Sequence, residues 1–393
     1  MNGPAQKKGA LEQETLLTRP VILLTLVAFG ALFGFQLLLS VVPLYADEAG
    51  GGSSGAGLAT ASFMLSTVLT QIQMPRILGR YGYRRTLAAG LLFIGVPALF
   101  YAYARTLVPI LAVTLVRGVG FGVITVVFAA LIVELAPPHR RGEALGLLGV
   151  AITLPTIFCN ALGLWLAEGF GFGVVFLLGG FAPLLGLGMI PWIRSPSSTV
   201  EEGEESGAGF FAGLGRPHLR RIFVLFAATT MAAGVVLTFL PLAVPGSGAF
   251  SAASALLVVG ITTTASRWWA GRFGDRRDPH LLLAPGLIAC ATGMVCLPLG
   301  GVILLFGAVF FGGGFGLLQN STLILMMGRV SKSEYGLGST LWNAAFDAGT
   351  GIGAFSFGFV ISAVGFSWAF FICSAIVASA LLLVLLDRYS TQD

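Results

Sequence analysis

Apolar runs of about 20 residues recur along the whole chain, and each is long enough to cross the ~30 Å hydrocarbon layer of a bilayer as a helix. Divided at Gly, Pro and charged residues, they number twelve: 20–45, 55–78, 83–103, 107–133, 143–167 and 172–193, then 222–244, 249–269, 280–299, 302–327, 336–364 and 366–386. Hydrocarbon offers the backbone no hydrogen-bond partners, so a run of this length has to bond within itself, as a helix does. The expected fold is therefore an all-α membrane protein of twelve transmembrane helices. Only 10% of the residues are charged and the mean hydropathy is +0.91, against about 25% charged in soluble domains. Residues 1–19 are polar and the run that follows is too long for a signal core, so no cleaved leader is expected.

A net charge of +5 raises the possibility of a nucleic-acid partner, but the placement of the charges argues against it. With both termini in the cytoplasm, 20 of the 22 Lys and Arg fall in cytoplasmic segments, among them Lys7, Lys8, Arg19, Arg76, Arg140, Arg194 and Lys332. Only Arg105 lies outside, and only Arg117 within the membrane. This bias orients the chain as a multi-pass protein of the plasma (inner) membrane, with its basic loops facing anionic lipid. The four cysteines (Cys159, Cys290, Cys296 and Cys373) all fall inside spans without metal-ligand spacing, and read as small core residues.

The least hydrophobic internal stretch, RSPSSTVEEGEESGAGFFAGLGRPHLRR, separates six spans from six. It reads as a cytoplasmic linker with a solvated acidic start. The organisation expected is a tail (1–19), a six-helix bundle (20–193), the linker (194–221), a second bundle (222–386) and a short tail (387–393). The halves echo each other. PRILGR at Pro75 matches GRFGDR at Gly271 at an offset of 196, GVGFG at Gly118 matches GGGFG at Gly312 at 194, and Gly171, Phe172 and Phe176 match Gly365, Phe366 and Phe370 at 194. Parallel six-span repeats mark a two-bundle secondary carrier with its site at the midplane between halves. No phosphate-binding loop is present to drive a pump directly with nucleotide. A carrier of this kind is not an enzyme and has neither cofactor nor metal.

These motifs resemble those of the major facilitator superfamily, over nearly the whole chain. RWWAGRFGDRRD (Arg267–Asp278) resembles the family's basic loop signature. The resemblance implies a conformational latch of Arg80, Arg84, Arg267, Gly271, Asp275 and Arg276, which helps hold the outward-open state by charge pairing. Between spans 2 and 3 the signature is degraded, with Pro75 and Gly79 where the family has glycine and aspartate. LVRGVGFG resembles the span-4 arginine signature that the family associates with proton coupling. PPHRRGEALGL and ALGLWLAEGFG resemble the sugar-efflux and drug-efflux type members. Cys159 and Asn160 stand where drug:proton antiporters carry a Gly-Pro pair.

Arg117 lies ten residues into its span, about 15 Å deep, where an arginine costs at least about 2.5–3.5 kcal/mol. Its repeat partner is Phe311, so the bundle can be built without it. Among 17 acidic residues Asp347 alone sits deep in a span, about eleven residues from the start of the eleventh run. Low dielectric favours the neutral form of a carboxyl and a nearby guanidinium opposes this. Arg117 and Asp347 are accordingly the candidates for proton coupling. As structural groups, they would be a tie to backbone carbonyls and a helix-packing acid. Gln36, Asn160, Gln319, Asn320 and Asn343, with Trp342 and Phe346, suggest an amphipathic cavity, although each amide alone also serves as interhelical glue.

The reading is a monomeric secondary active transporter for proton-coupled efflux of small amphipathic compounds. Import or facilitated passage of a polar metabolite such as a sugar stands beside it, as does a lipid flippase or a non-transporting scaffold. The topology is checked with impermeant thiol reagents in intact cells. Cysteines at Ser198 or Ser206 should not label and those at Ser53 or Ser247 should; labelling of the linker from outside overturns the map.

Overall fold

The computed structural model describes residues 18–136, 140–193, 206–246, 248–331 and 334–389. Among these there is no strand, and helices account for nearly every residue. Nine stretches are long and apolar enough to cross a bilayer. The first, Arg19–Tyr103, holds three spans, turned at Gly50 (φ 89°) and Gly82 (φ 70°), backbone conformations that favour glycine. Ala252–Gly274, interrupted by polar and basic side chains, is the twelfth.

Span 1 is Arg19–Leu39, continued after Ser40 by Val41–Ala46; spans 2 and 3 share Gly52–Phe100. Spans 4, 5 and 6 are Leu107–Leu135, Arg141–Phe170 and Phe172–Leu185. Spans 7 to 12 are Pro217–Ala243, Ala252–Gly274, Leu283–Cys296, Gly301–Gly328, Tyr335–Val364 and Phe366–Ser379. Spans 6, 9 and 12 have regular helices of only 14 residues; short helical turns extend spans 6 and 9, and a further helix, Leu381–Tyr389, extends span 12, to the 21 residues (about 31 Å) that crossing needs. Their outward side chains, such as Leu177, Phe181, Ile288 and Trp368, are exposed and form a lipid-facing belt.

The sequence repeat is repeated in the packing. A Cβ on Gly118 or Gly122 of span 4 would run into span 2, at Phe63 O and Ser66 Oγ or at Thr67 O and Thr70. A Cβ on Gly312 or Gly316 of span 10 would meet span 8, at Val259 O and Thr262 Oγ1 or at Thr263 O and Ser266 Oγ. The four glycines are related by the offset of 194 and their neighbours by 196, the two offsets in the motifs. Backbone contact at the same places in both halves shows a duplicated helix pair whose close approach requires the absence of a side chain. Gly171 and Gly365, each at a positive φ near 80°, open spans 6 and 12 in the same way.

The halves meet along two seams, span 2 against span 11 and span 5 against span 8. Contacts are tight on the face away from the termini. There Ser53 bonds to Gly358 O (3.1 Å) and Ser362 Oγ (2.9 Å), Thr60 meets Thr238 (2.9 Å), and Gly57 abuts Ala354. This distal face is closed.

The linker departs from the expected tether. Its described part forms a helix, Ser206–Gly215, whose Gly213 packs on Leu337 and Leu341 of span 11, and span 7 begins at Pro217 rather than near residue 222. Arg216 Nη2 donates to Glu334 Oε1 at 2.6 Å. This bond, with help from Ser331, holds the Glu334 carboxyl at about 2, below its ordinary 4.5. The acidic run 201–205, Arg194, Lys332, the N-terminal lysines and Pro137–His139 of the PPHRRGEALGL motif lie outside the described residues.

Span 10 contains a matched pair for testing the glycine seam. Gly316 faces the backbone of span 8, whereas a Cβ on Gly313 meets nothing within 4 Å. Gly316→Ala should cost about 1–3 kcal/mol through overpacking, and Gly313→Ala should be neutral or gain up to about 1 kcal/mol of helix propensity. Thermal unfolding in detergent compares them; equal Tm values would refute the seam.

Candidate functional site

The twelve-residue step from Tyr335 to Asp347 sets that carboxylate about 18 Å up span 11 from the termini face. It is 6% exposed and sits on the side of the helix that meets span 2. Gln71 Nε2 of span 2 donates to Asp347 Oδ2 at 3.1 Å and lies 3.3 Å from Thr125 Oγ1 of span 4. One amide therefore ties two spans of the first half to an acid of the second. Among the described residues no cation is paired with Asp347. A buried carboxylate bonded to an amide makes a stronger bond ionised than neutral, because charge assistance roughly doubles it. Were Asp347 to take up a proton, this link between the halves would weaken.

Arg117 does not meet Asp347 in this conformation. It lies eight residues, about 12 Å, toward the distal face from Thr125 on the same helix. Its Nε donates to Ile94 O (3.3 Å) and its Nη1 to Tyr101 Oη (3.5 Å), while the guanidinium faces the rings of Phe63 and Tyr101 at 5.7 and 5.5 Å. All three residues belong to the first half. Among the described residues no carboxylate pairs with Arg117, because span 4 turns this side chain into its own bundle.

The cavity residues divide into three groups. Gln36 and Asn160 bond to each other (3.2 Å), with Gln36 also donating to Thr156 at 2.8 Å and Ser40 reaching Asn160 at 3.4 Å. They tie span 1 to span 5 at the position where the efflux resemblance places Gly-Pro. Trp342 stacks on Phe226 at 4.8 Å and donates Nε1 to Thr322 (3.2 Å), and Phe346 lies between Phe226 and Phe315. Trp342 and Phe346 of this aromatic wall are on the same helix as Asp347 and within a turn and a half of it, while Phe226 and Phe315 come from spans 7 and 10. Gln319 is buried on span 10 beside Asn320, whose Nδ2 donates to Arg267 O (3.2 Å) at the foot of span 8. Asn343 is exposed and bonds back to Ser339. The amides thus lie in separate groups, with Asn320 and Asn343 nearer the termini face.

The latch residues are placed but not engaged. Asp275 ends the helix of span 8 at the termini face beside Arg276, and Arg80 and Arg84 flank the bend between spans 2 and 3; Gly271 meets the Asn320 amide. Arg80, Arg84, Asp275 and Arg276 are exposed, and no ion pair joins them among the described residues. From the sequence, Gln71 reads as one more intramembrane amide with no assigned role, and Thr125, Tyr101 and Phe226 are not singled out at all. The signal for Gln71 was an amide at the depth of Asp347 on the span that faces it.

A profile described as Major Facilitator Superfamily matches residues 24–336. The chain belongs to that family. It is 22% identical over 360 residues to an uncharacterized MFS-type transporter of Methanocaldococcus jannaschii, covering 89% of this chain and 93% of that one. To the staphylopine export protein of Staphylococcus aureus it is 21% identical over 389 residues, covering 93% and 94%. A crystal structure of a POT family transporter in complex with 5-aminolevulinic acid superposes with a TM-score of 0.79 over 95% of this chain and 97% of that one, at 12% identity. The protein is a multi-pass membrane transporter of the major facilitator fold, twelve helices in two pseudo-symmetric bundles of six.

Ser53→Cys with Ser362→Cys places two thiols across the closed distal face. A short bifunctional reagent should join them readily. Adding Gln71→Leu, which removes the donor to Asp347, should slow the cross-link at least about three-fold, given about 1.5–3 kcal/mol for a hydrogen bond to a charged group. An unchanged rate means that Gln71 does not hold the halves together.

Proposed function

We propose that the protein is a proton-coupled exporter of small amphipathic solutes in the plasma membrane, with its termini cytoplasmic and the monomer as the working unit. One observation carries the reading: the carboxylate buried deepest in the spans, Asp347, is hydrogen-bonded across the boundary between the two halves. Alternating access requires that boundary to open and close, and a proton-coupled carrier requires an ionisable group whose charge alters it. Asp347 meets both needs. With the basic side cytoplasmic, the closed distal face makes this conformation inward-facing, and the unpaired Asp275 and Arg276 agree with a latch that engages when the cytoplasmic side shuts. The wall of Phe226, Phe315, Trp342 and Phe346 beside the acid suits a solute with an apolar, ring-bearing body. Export is favoured by the staphylopine export protein, which aligns with nearly the whole chain.

Import of a polar metabolite has its own support in the bonded cluster of Gln36, Thr156 and Asn160. The two directions separate in inverted vesicles incubated with a panel of fluorescent amphipathic dyes. In the export reading an imposed proton gradient drives dye uptake into these vesicles, and a protonophore abolishes it. Asp347→Asn should remove the dependence on the gradient while downhill dye movement persists, and Asp347→Glu should restore part of it. Gradient-driven uptake by Asp347→Asn at the wild-type rate would sink the proposal.

A further inference from the structure

The transport reading leaves one charge unexplained. Arg117 is 3% exposed, permanently cationic, and among the described residues it has no acidic partner. A guanidinium carries five N–H donors, and the acceptors it meets are the Ile94 carbonyl and the Tyr101 hydroxyl. Nη2, with two of those hydrogens, is buried and bonded to nothing. Aromatic faces stabilise the cation in part, but a buried charge without a counter-charge is what membrane interiors select against.

Beside this guanidinium is a small cavity between spans 1, 2 and 4, bordered by Phe35, Phe63, Thr60, Tyr101 and Thr114. It has room for one or two water-sized groups. The polar groups on its wall are hydroxyls. Tyr101 and Thr114 bond to each other at 2.8 Å, and Thr60 bonds to Thr238 at 2.9 Å. No residue bordering the cavity is acidic. Thr114 gives its own hydrogen to Ile110 O (2.7 Å), so Tyr101 donates to Thr114, and the donor hydrogens left without an acceptor beside this space are those of Arg117 Nη2.

We propose that this cavity binds one small monovalent anion against Arg117, either a free halide or the carboxylate end of a solute. Its size excludes a tetrahedral oxyanion, and its single cation matches one negative charge. Thr60 links the cavity wall to span 7 across the distal seam, so occupancy also bears on the closed face. The inference stands on Arg117 alone and does not depend on Asp347 carrying protons.

Purified protein in gluconate is titrated with sodium chloride, sodium formate or sodium sulfate at constant ionic strength, and Tm is followed. Chloride or formate should raise Tm saturably by about a degree or more, with sulfate inactive. Arg117→Lys should keep a weaker response and Arg117→Gln should lose it, while Asp347→Asn keeps it. The last comparison separates failure here from failure of the transport proposal. A response to both anions assigns the site to a free ion, and a response to formate alone assigns it to a solute's carboxylate. No shift in the wild type, a shift equal with sulfate, or a full shift in Arg117→Gln overturns the proposal. Should Arg117→Gln not fold, wild-type crystals grown in bromide and in formate decide the matter: an anomalous bromide peak or ordered formate density beside the guanidinium supports the site, and the absence of both refutes it.

Discussion

Hydrocarbon supplies neither hydrogen bonds nor counter-charges, and every feature of this molecule answers to that. The backbone satisfies itself in helices, and those helices hold together where backbones come close enough for dispersion and carbonyl contacts to act, not through burial of oil from oil. The glycines of spans 4 and 10 do this work. Gly118 and Gly122 press on span 2, and Gly312 and Gly316 press on span 8. Side chains with polar atoms must find partners inside the protein. Gln36 with Asn160, Thr230 with the Ala345 carbonyl, and Ser374 with the Ala291 carbonyl show that nearly all of them do.

The fold was legible because its determinants are one-dimensional. Span lengths follow from hydrophobic runs, and the duplication shows as motif pairs at offsets of 194 and 196 that reappear as backbone contacts. Gly82 is a case where a turn within a continuous helix was marked in sequence by a glycine among arginines. The linker was less legible. Its helix at Ser206–Gly215 is short and is held by Leu337 and Leu341, more than 120 residues later, with Arg216 just after it bonded to Glu334. No local pattern encodes a contact of that kind.

Depth in a span was legible and azimuth was not. Counting residues put Arg117 and Asp347 deep in the membrane, but each residue also turns the side chain by about 100° around the helix axis. Span 11 carries Ser339, Asn343, Asp347 and Thr350 at helical spacing, but a polar stripe does not name the span it will meet, and on span 4 the lone arginine gives no such stripe at all. Arg117 consequently points to Ile94 and Tyr101 of its own half, and Asp347 to Gln71 of the other. The amides divide for the same reason. Gln36 and Asn160 share a seam, while Asn320 and Asn343 sit nearer the termini face.

The two halves are alike in framework and unlike in charge. Arg117 corresponds to Phe311, and neither it nor Asp347 has an ionisable repeat counterpart. A strictly symmetric pair of bundles would have two equivalent seams and no built-in place for a coupling ion. In the proposed reading, asymmetry supplies one. The acid on span 11 faces an amide on span 2 at the seam that must part, so its charge state bears directly on the strength of contact between halves. The cation on span 4 is anchored wholly within its bundle, where it stays in place while the halves move. A group that senses the seam and a group that moves rigidly with one half have different uses. The first suits the coupling ion, whose binding must differ between the two faces of the cycle. The second suits a ligand retained through the cycle, since its surroundings change little as the bundles rock.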